Sequence, residues 1–273
     1  GGHRDLHSFP TRRSSDLMNE LIEKFKEIVL IIEKLRKECP WDKEQTFESL
    51  RNYTIEEAYE LSDAVFKKNS DEIKKELGDL LLHVIMYSEI AKETNSFELK
   101  DVIENLTKKL IYRHPHVFGE KEASNAKQVM ENWEKIKLKE KGGNKTVLAG
   151  IPNTLPALLK AYRIQEKVSG VGFDWQEKKE IWKKVKEEIV ELQEVIESNE
   201  NEKIFEEFGD VFFSLINAAR LYDIHPEDAL ESTNQKFIKR FCVIEQKAME
   251  QNKKVTELSF DEMNLLWEQS KKA

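Results

Sequence analysis

One arrangement of carboxylates occurs twice in this chain: Glu56-Glu57-x-x-Glu60 followed by Glu76-Leu77-Gly78-Asp79, then Glu187-Glu188-x-x-Glu191 followed by Glu207-Phe208-Gly209-Asp210. The copies lie 131 residues apart, and 16 residues separate Glu60 from Glu76 just as 16 separate Glu191 from Glu207. Matched intervals across the whole set identify a repeated supersecondary unit, not a chance acidic run. A helix turns about 100° per residue, so Glu57 and Glu60 share one face of a helix and Glu76 and Asp79 share one face of the next. If Asn69-Ser70 and Ser198-Asn199 form the turns of antiparallel helix pairs, four carboxylates face one gap in each copy. Like charges in such a gap need a counter-charge, and Mg2+ with oxygen ligands and retained waters supplies it.

The plainer reading of any EExxE string is the wet face of a surface helix, and with 52 acidic residues in 273 this chain has many such faces. The neighbours argue against that reading. Glu76 and Asp79 run into Leu80-Leu81-Leu82-His83-Val84-Ile85, and Glu207 and Asp210 are interleaved with Phe205, Phe208, Val211, Phe212 and Phe213. That pattern predicts core helices, where an unpaired carboxylate is costly.

To hold these residues the chain needs helices and little else. Hydrophobic residues make up 39% and charged residues 35%, with only ten Gly and six Pro, the balance of an all-α protein. The length and the internal repeat together predict two domains. A net charge of -8 argues against a nucleic-acid or membrane-surface binder and leaves room for a local basic pocket. Cys39 and Cys242 fit neither a zinc nor a redox spacing nor a disulfide framework, which points to a reducing cytoplasm. No window reaches the apolar length of a membrane span.

Residues 1–17 are basic and turn-rich, lack the apolar stretch of a secretory signal, and read as a non-native or disordered leader ahead of Met18. Leu21, Ile22, Phe25, Ile28, Val29, Ile32 and Leu35 then recur with helical spacing between Asn19 and Lys37. Cys39-Pro40-Trp41-Asp42 stops that helix, and Thr46 or Thr54 can cap the next one. The carboxylate helices are expected at about 55–68 and 71–93, further helices at about 98–112 and 125–140, and a linker over 139–156, where Gly and Pro cluster. This places a first domain over 18–138 and a second over 157–273. The second carries helices at about 155–168, 177–198, 200–222, 226–250 and 260–271.

Cys39-Pro40-Trp41-Asp42 with Gln45-Thr46, the paired EExxE and ELGDLL motifs, Arg113-His114-Pro115-His116-Val117-Phe118 and Val171-Gly172-Phe173-Asp174-Trp175 together resemble the tandem-domain MazG-type nucleoside triphosphate pyrophosphohydrolases. The likeness runs from Met18 to Ala273. It implies two tandem four-helix-type bundles and Mg2+-dependent hydrolysis of a nucleoside triphosphate to monophosphate and pyrophosphate. It further implies a role in cleansing the nucleotide pool and a homodimer formed through helices.

The chemistry of the residues agrees with that implication. A triphosphate is an anion, so carboxylates meet it only through bridging cations, and basic groups must stand nearby. In the second copy Lys184 lies one turn before Glu188, Lys203 one turn before Glu207, and Lys236 with Arg240 forms an i, i+4 pair. Any one of these lysines alone would read as a solvated face. The family pattern adds Lys137, Trp267 and Lys271. Glu188, Glu191, Glu207 and Asp210 are assigned to the metal, and Glu187 to orienting or deprotonating the attacking water. Trp267 either stacks on a base or ribose or packs against its own helix.

The first copy keeps Glu57, Glu60, Glu76 and Asp79 as a second possible metal site, and Lys109 with Arg113 resembles the Lys236 and Arg240 pair. Tyr53 stands where Lys184 stands, Glu72 replaces Lys203, and Met86 replaces Asn217, which leaves the first domain structural, regulatory or selective for another substrate. Di-iron chemistry needs a Glu-x-x-His pair from each of two helices, whereas this chain offers Glu-x-x-Asp twice. A non-enzymatic helical scaffold is the remaining rival, and it predicts no pyrophosphate release.

Overall fold

The computed structural model describes residues 14–119, 125, 128–129, 132–133, 136–137, 140, 146–198 and 200–271. Among them every regular element is helical, and no helix is long and apolar enough to cross a membrane. The chain divides into two compact units, 1–112 and 113–273.

The first unit opens with α1 (Ser14–Glu38), followed by the short α2 (Pro40–Glu44), α3 (Phe47–Phe66), α4 (Ser70–Glu93) and α5 (Leu99–Arg113), whose last residue belongs to the second unit. Helix α1 takes in Ser14–Leu17, part of the segment expected to lie outside the fold, and Asp16 in its first turn complements the helix dipole. The rest of that leader lies outside the described residues. Thr46, not Thr54, caps α3: its side chain accepts from the Ser49 amide while Ser49 reaches back to the Thr46 amide. Thr54 instead donates to the Leu50 carbonyl inside the helix.

Asn69 caps α4 by accepting from the amides of Asp71 and Glu72, and Lys68 adopts φ +56 to reverse the chain between α3 and α4. Helices α3 and α4 pack against each other as an antiparallel pair, and α1 lies on α4. Ile32 of α1, Leu50 of α3, and Ile85, Met86 and Ile90 of α4 form the core.

Arg36 ties α1 to this core from a buried position. Its Nε and Nη2 donate to the Glu93 carboxylate at 2.7 and 2.8 Å, and its Nη1 donates to the carbonyls of Asp42 and Gln45. Arg36 thereby holds the Glu93 carboxyl below its ordinary value. Arg36→Ala leaves two carbonyls and a carboxylate without their donor, for an expected loss of about 3 kcal/mol. Urea unfolding followed by circular dichroism measures it. A loss under about 1 kcal/mol would mean that water replaces the guanidinium.

The second unit holds α6 (Pro115–Phe118), α7 (Ala157–Ser169), α8 (Ile181–Ser198), α9 (Asn201–Leu221), α10 (Pro226–Glu250), a 3-10 turn (Val255–Glu257) and α11 (Phe260–Ser270). The expected helix at 125–140 falls largely outside the described residues. Helices α8 and α9 pair as α3 and α4 do, and α7 packs on α9 and α10. Ile181, Val185 and Ala218 form one core cluster, and Ile244, Ala248, Leu258 and Leu266 form another. Asp174 anchors the loop before α8 by accepting from both terminal nitrogens of Arg220 and from Ser169.

The expectation that the α9 carboxylates are interleaved with core residues holds for Val211 and needs correction for the phenylalanines. Val211 is buried, but Phe205 is 82% exposed, Phe212 58%, Phe208 44% and Phe213 41%. Helix α9 presents two faces poor in charge, and this chain covers the one through Val211, Ser214 and Ala218. The other runs through Phe208, Phe212 and Leu215, and its repeat counterparts Leu77, Leu81 and Val84 on α4 are exposed too. Periodicity reports that a stripe is apolar and not what covers it.

Candidate metal centre

In the second unit, Glu188 comes from the middle of α8, and Glu207 and Asp210 from the first half of α9. Glu188 is buried at 6% exposure, Glu207 is half-buried and Asp210 is exposed. One oxygen from each lies within 4.8 Å of the others. Glu187, Glu188 and Glu191 form an overlapping group under the same limit, so Glu188 belongs to both. Around one Mg2+ neighbouring oxygens stand about 3 Å apart and opposite ones about 4.2 Å, so the three carboxylates would close in on a cation seated there.

The electrostatics match that donor set. Desolvation and then the neighbouring Glu188 push the Glu191 carboxyl up, against a weaker opposing pull from Lys184. The Lys184 ammonium lies 2.6 Å from Glu187 and 2.7 Å from Glu188 and is held firmly charged by them. The donors are hard oxygens of net negative charge, which suits Mg2+ and excludes a soft-metal preference.

The first unit brings together Glu57, Glu60 and Glu76 within the same 4.8 Å limit. Asp79 is not in that trio, but its charge helps raise the Glu57 carboxyl, after the larger effect of burial. Burial is redistributed between the copies: the buried carboxylate is Glu76 on α4 at 5% exposure, whereas its counterpart Glu207 is only half-buried. His83 stands beside this site, with Nδ1 2.9 Å from Thr54 Oγ1, and burial lowers its basicity.

The remaining predicted residues fall into separate groups. Lys203 lies one turn before Glu207, but its ammonium pairs with Glu200 at 2.6 Å. Arg240 sits over the Trp267 ring at 5.6 Å, and Phe237 meets the same ring at 5.0 Å. Trp267 also packs on the Ile244 cluster, so it is anchored against its own unit while one side meets Arg240. Lys236 is exposed on α10, Lys271 pairs with Glu268 at 2.6 Å, and Lys137 lies over Trp133 at 4.4 Å.

Two residues escaped the sequence reading. Phe237, beside Lys236, joins the Trp267 and Arg240 group, a placement that only the packing of α10 on α11 reveals. Lys75 enters the first carboxylate group, and the signal for it was legible: at the repeat offset of 131 its counterpart is Glu206, a reversal of charge.

The MazG nucleotide pyrophosphohydrolase domain matches this chain twice, over residues 45–118 and 176–241, which enclose both carboxylate groups. A Thermotoga maritima protein named nucleoside triphosphate pyrophosphohydrolase/pyrophosphatase MazG is 44% identical over 250 residues, covering 90% of this chain and 95% of the relative. The Escherichia coli K12 nucleoside triphosphate pyrophosphohydrolase is 38% identical over 241 residues, covering 86% and 90%. A Bacillus subtilis protein, YabN, is 42% identical over 235 residues, 85% of this chain and 48% of its own length. With both halves matched and that identity sustained over nearly the whole length of the first two relatives, the chain belongs to the MazG nucleotide pyrophosphohydrolase family, enzymes that hydrolyse phosphoric anhydrides.

Proposed function

We propose that this protein hydrolyses nucleoside triphosphates to the monophosphate and pyrophosphate, that the reaction needs Mg2+, and that the second unit carries it out. The observation that carries this reading is the meeting of Glu188, Glu207 and Asp210 within 4.8 Å, with Lys184 at 2.7 Å from Glu188. Bound Mg2+ would offset the triphosphate charge and acidify its water. Glu188, Glu191, Glu207 and Asp210 would hold it, and Glu187, exposed beside them, is placed to accept the proton of the attacking water. Lys184, within reach of both Glu187 and Glu188, is placed to meet a phosphate oxygen beside them. Lys137, Lys203, Lys236, Arg240 and Lys271 bind the phosphates, and Trp267, already flanked by Arg240, stacks on base or ribose.

The wider reading is a cytoplasmic enzyme that cleanses the nucleotide pool and uses neither nucleic acid nor membrane. Free Cys39 and Cys242 and the net charge of -8 support it. The repeat boundaries we propose are 18–138 and 157–273, joined by the Gly- and Pro-rich 139–156. The stripe of Phe208, Phe212 and Leu215, bare in one chain and repeated as Leu77, Leu81 and Val84, supports a homodimer.

The products test the reaction. Attack at the α,β-bridge gives monophosphate and pyrophosphate, and phosphatase action gives diphosphate and phosphate. Anion-exchange chromatography of a triphosphate digest with Mg2+ is expected to show monophosphate and pyrophosphate in equal amounts. Diphosphate as the main product would overturn the reading.

A further inference from the structure

The two carboxylate groups are neutralised in different ways. In the second unit Lys184 touches Glu187 and Glu188, both on its own helix α8. In the first unit the Lys75 ammonium lies 2.9 Å from Glu76, 3.9 Å from Glu60 and 3.9 Å from Asp79, so it reaches carboxylates of both α3 and α4. It thus stands between the helices, at the mouth of the Glu57, Glu60 and Glu76 group. The second unit has no lysine at the corresponding position, which Glu206 occupies.

Lys75 does not complete the site. Glu76 is buried, at 5% exposure, and while Oε1 accepts from Lys75, Oε2 is buried with no partner among the described residues. A buried carboxylate oxygen left unpaired is costly, and Glu76 already brings one of its oxygens within 4.8 Å of oxygens of Glu57 and Glu60. One ammonium on a flexible stem cannot satisfy both Glu76 oxygens and two further carboxylates. A divalent cation seated among Glu57, Glu60 and Glu76 would.

We propose that Lys75 is a built-in competitor for that cation, so that the first unit takes up a divalent ion only by displacing the lysine, and binds it more weakly than it would without it. The inference rests on the reading that these carboxylate groups are divalent-cation sites. It distinguishes the units by an element of this chain's own sequence: among the described residues Lys75 bridges the two carboxylate helices of the first unit, whereas Lys184 of the second meets carboxylates of its own helix alone. Lys75 is 65% exposed, so solvent screens its charge and the displaced ammonium has water to move into.

Mn2+ titration of the full chain, with free Mn2+ read by its EPR signal, tests this without any assay of turnover. A chain carrying Glu188→Gln and Asp210→Asn leaves only the first group to bind. In that background Lys75→Gln is expected to tighten Mn2+ binding about tenfold, the low end of what removing a unit charge near a divalent ion allows at an exposed site. Lys75→Arg, which keeps the charge, is expected to stay within about twofold, and Glu76→Gln to abolish the binding. Unchanged or weaker binding in Lys75→Gln would overturn the competitor role while the second group, titrated in the chain with Glu57→Gln and Glu76→Gln, still bound Mn2+. Loss of Mn2+ binding at both groups would overturn the underlying reading along with it.

Discussion

Glu188→Gln or Asp210→Asn is expected to lower triphosphate turnover by about a thousandfold, whereas Glu57→Gln retains most of it. The asymmetry comes from the surroundings of each group. Glu188 is buried, belongs to both overlapping groups of the second unit, and has Lys184 beside it. Amidation removes its charge, weakens cation binding, and leaves Lys184 with Glu187 as its one charged partner among these carboxylates. Glu57 sits in a group where Tyr53 replaces that lysine and Glu72 replaces Lys203, so the phosphate contacts proposed for those two lysines have no counterpart there. Steady-state rates on purified variants, with circular dichroism as the check on folding, decide the matter. Equal losses from Glu188→Gln and Glu57→Gln would overturn the assignment of catalysis mainly to the second unit.

Much of this was legible because the repeat constrains it. The intervals Glu57 to Glu60 and Glu76 to Asp79 fix two helix faces, and the structure brings oxygens of three such residues within 4.8 Å in each unit. One helix start was readable from its chemistry: Thr46, one of the two caps offered, caps α3, and the Asn69-Ser70 turn joins α3 to α4. Burial was not readable in the same way. That Glu76 is buried in one copy and Glu188 in the other depends on how far each helix is rotated toward its partner, which identical spacing leaves free. The exposure of Phe205, Phe208 and Phe212 was hidden for a related reason: an apolar stripe looks the same whether its own chain or another surface covers it. The partner of Lys203 was hidden too, because Glu200 and Glu207 lie three and four residues away and the long side chain reaches either.

Removing divalent cations should abolish turnover outright, with Mg2+ restoring it, and should also weaken the fold in a way that depends on pH. Desolvation and the like charges around them raise the carboxyls of Glu191 and Glu57 above their ordinary values. A raised carboxyl holds its proton more tightly in the folded state than in the unfolded one. Its contribution therefore favours folding below the ordinary carboxylate range and is lost as pH rises through the raised value. On the proposed reading, Mg2+ at neutral pH would supply the positive charge that the protons supplied in acid, and would add about 2.7 kcal/mol of stability at a hundred times its dissociation constant. Glu33, Glu93 and Asp174, held below their ordinary values by basic partners or hydrogen bonds, pull whole-protein stability the other way in acid. The informative quantity is thus the difference between unfolding midpoints with and without Mg2+. That difference is expected to shrink as pH falls toward the carboxylate range, because protons and metal compete for the same oxygens. In the Glu188→Gln, Asp210→Asn chain the second unit's share of it should vanish. Turnover that survived exhaustive chelation, together with midpoints indifferent to Mg2+, would leave the carboxylates of α8 and α9 as ordinary surface acids.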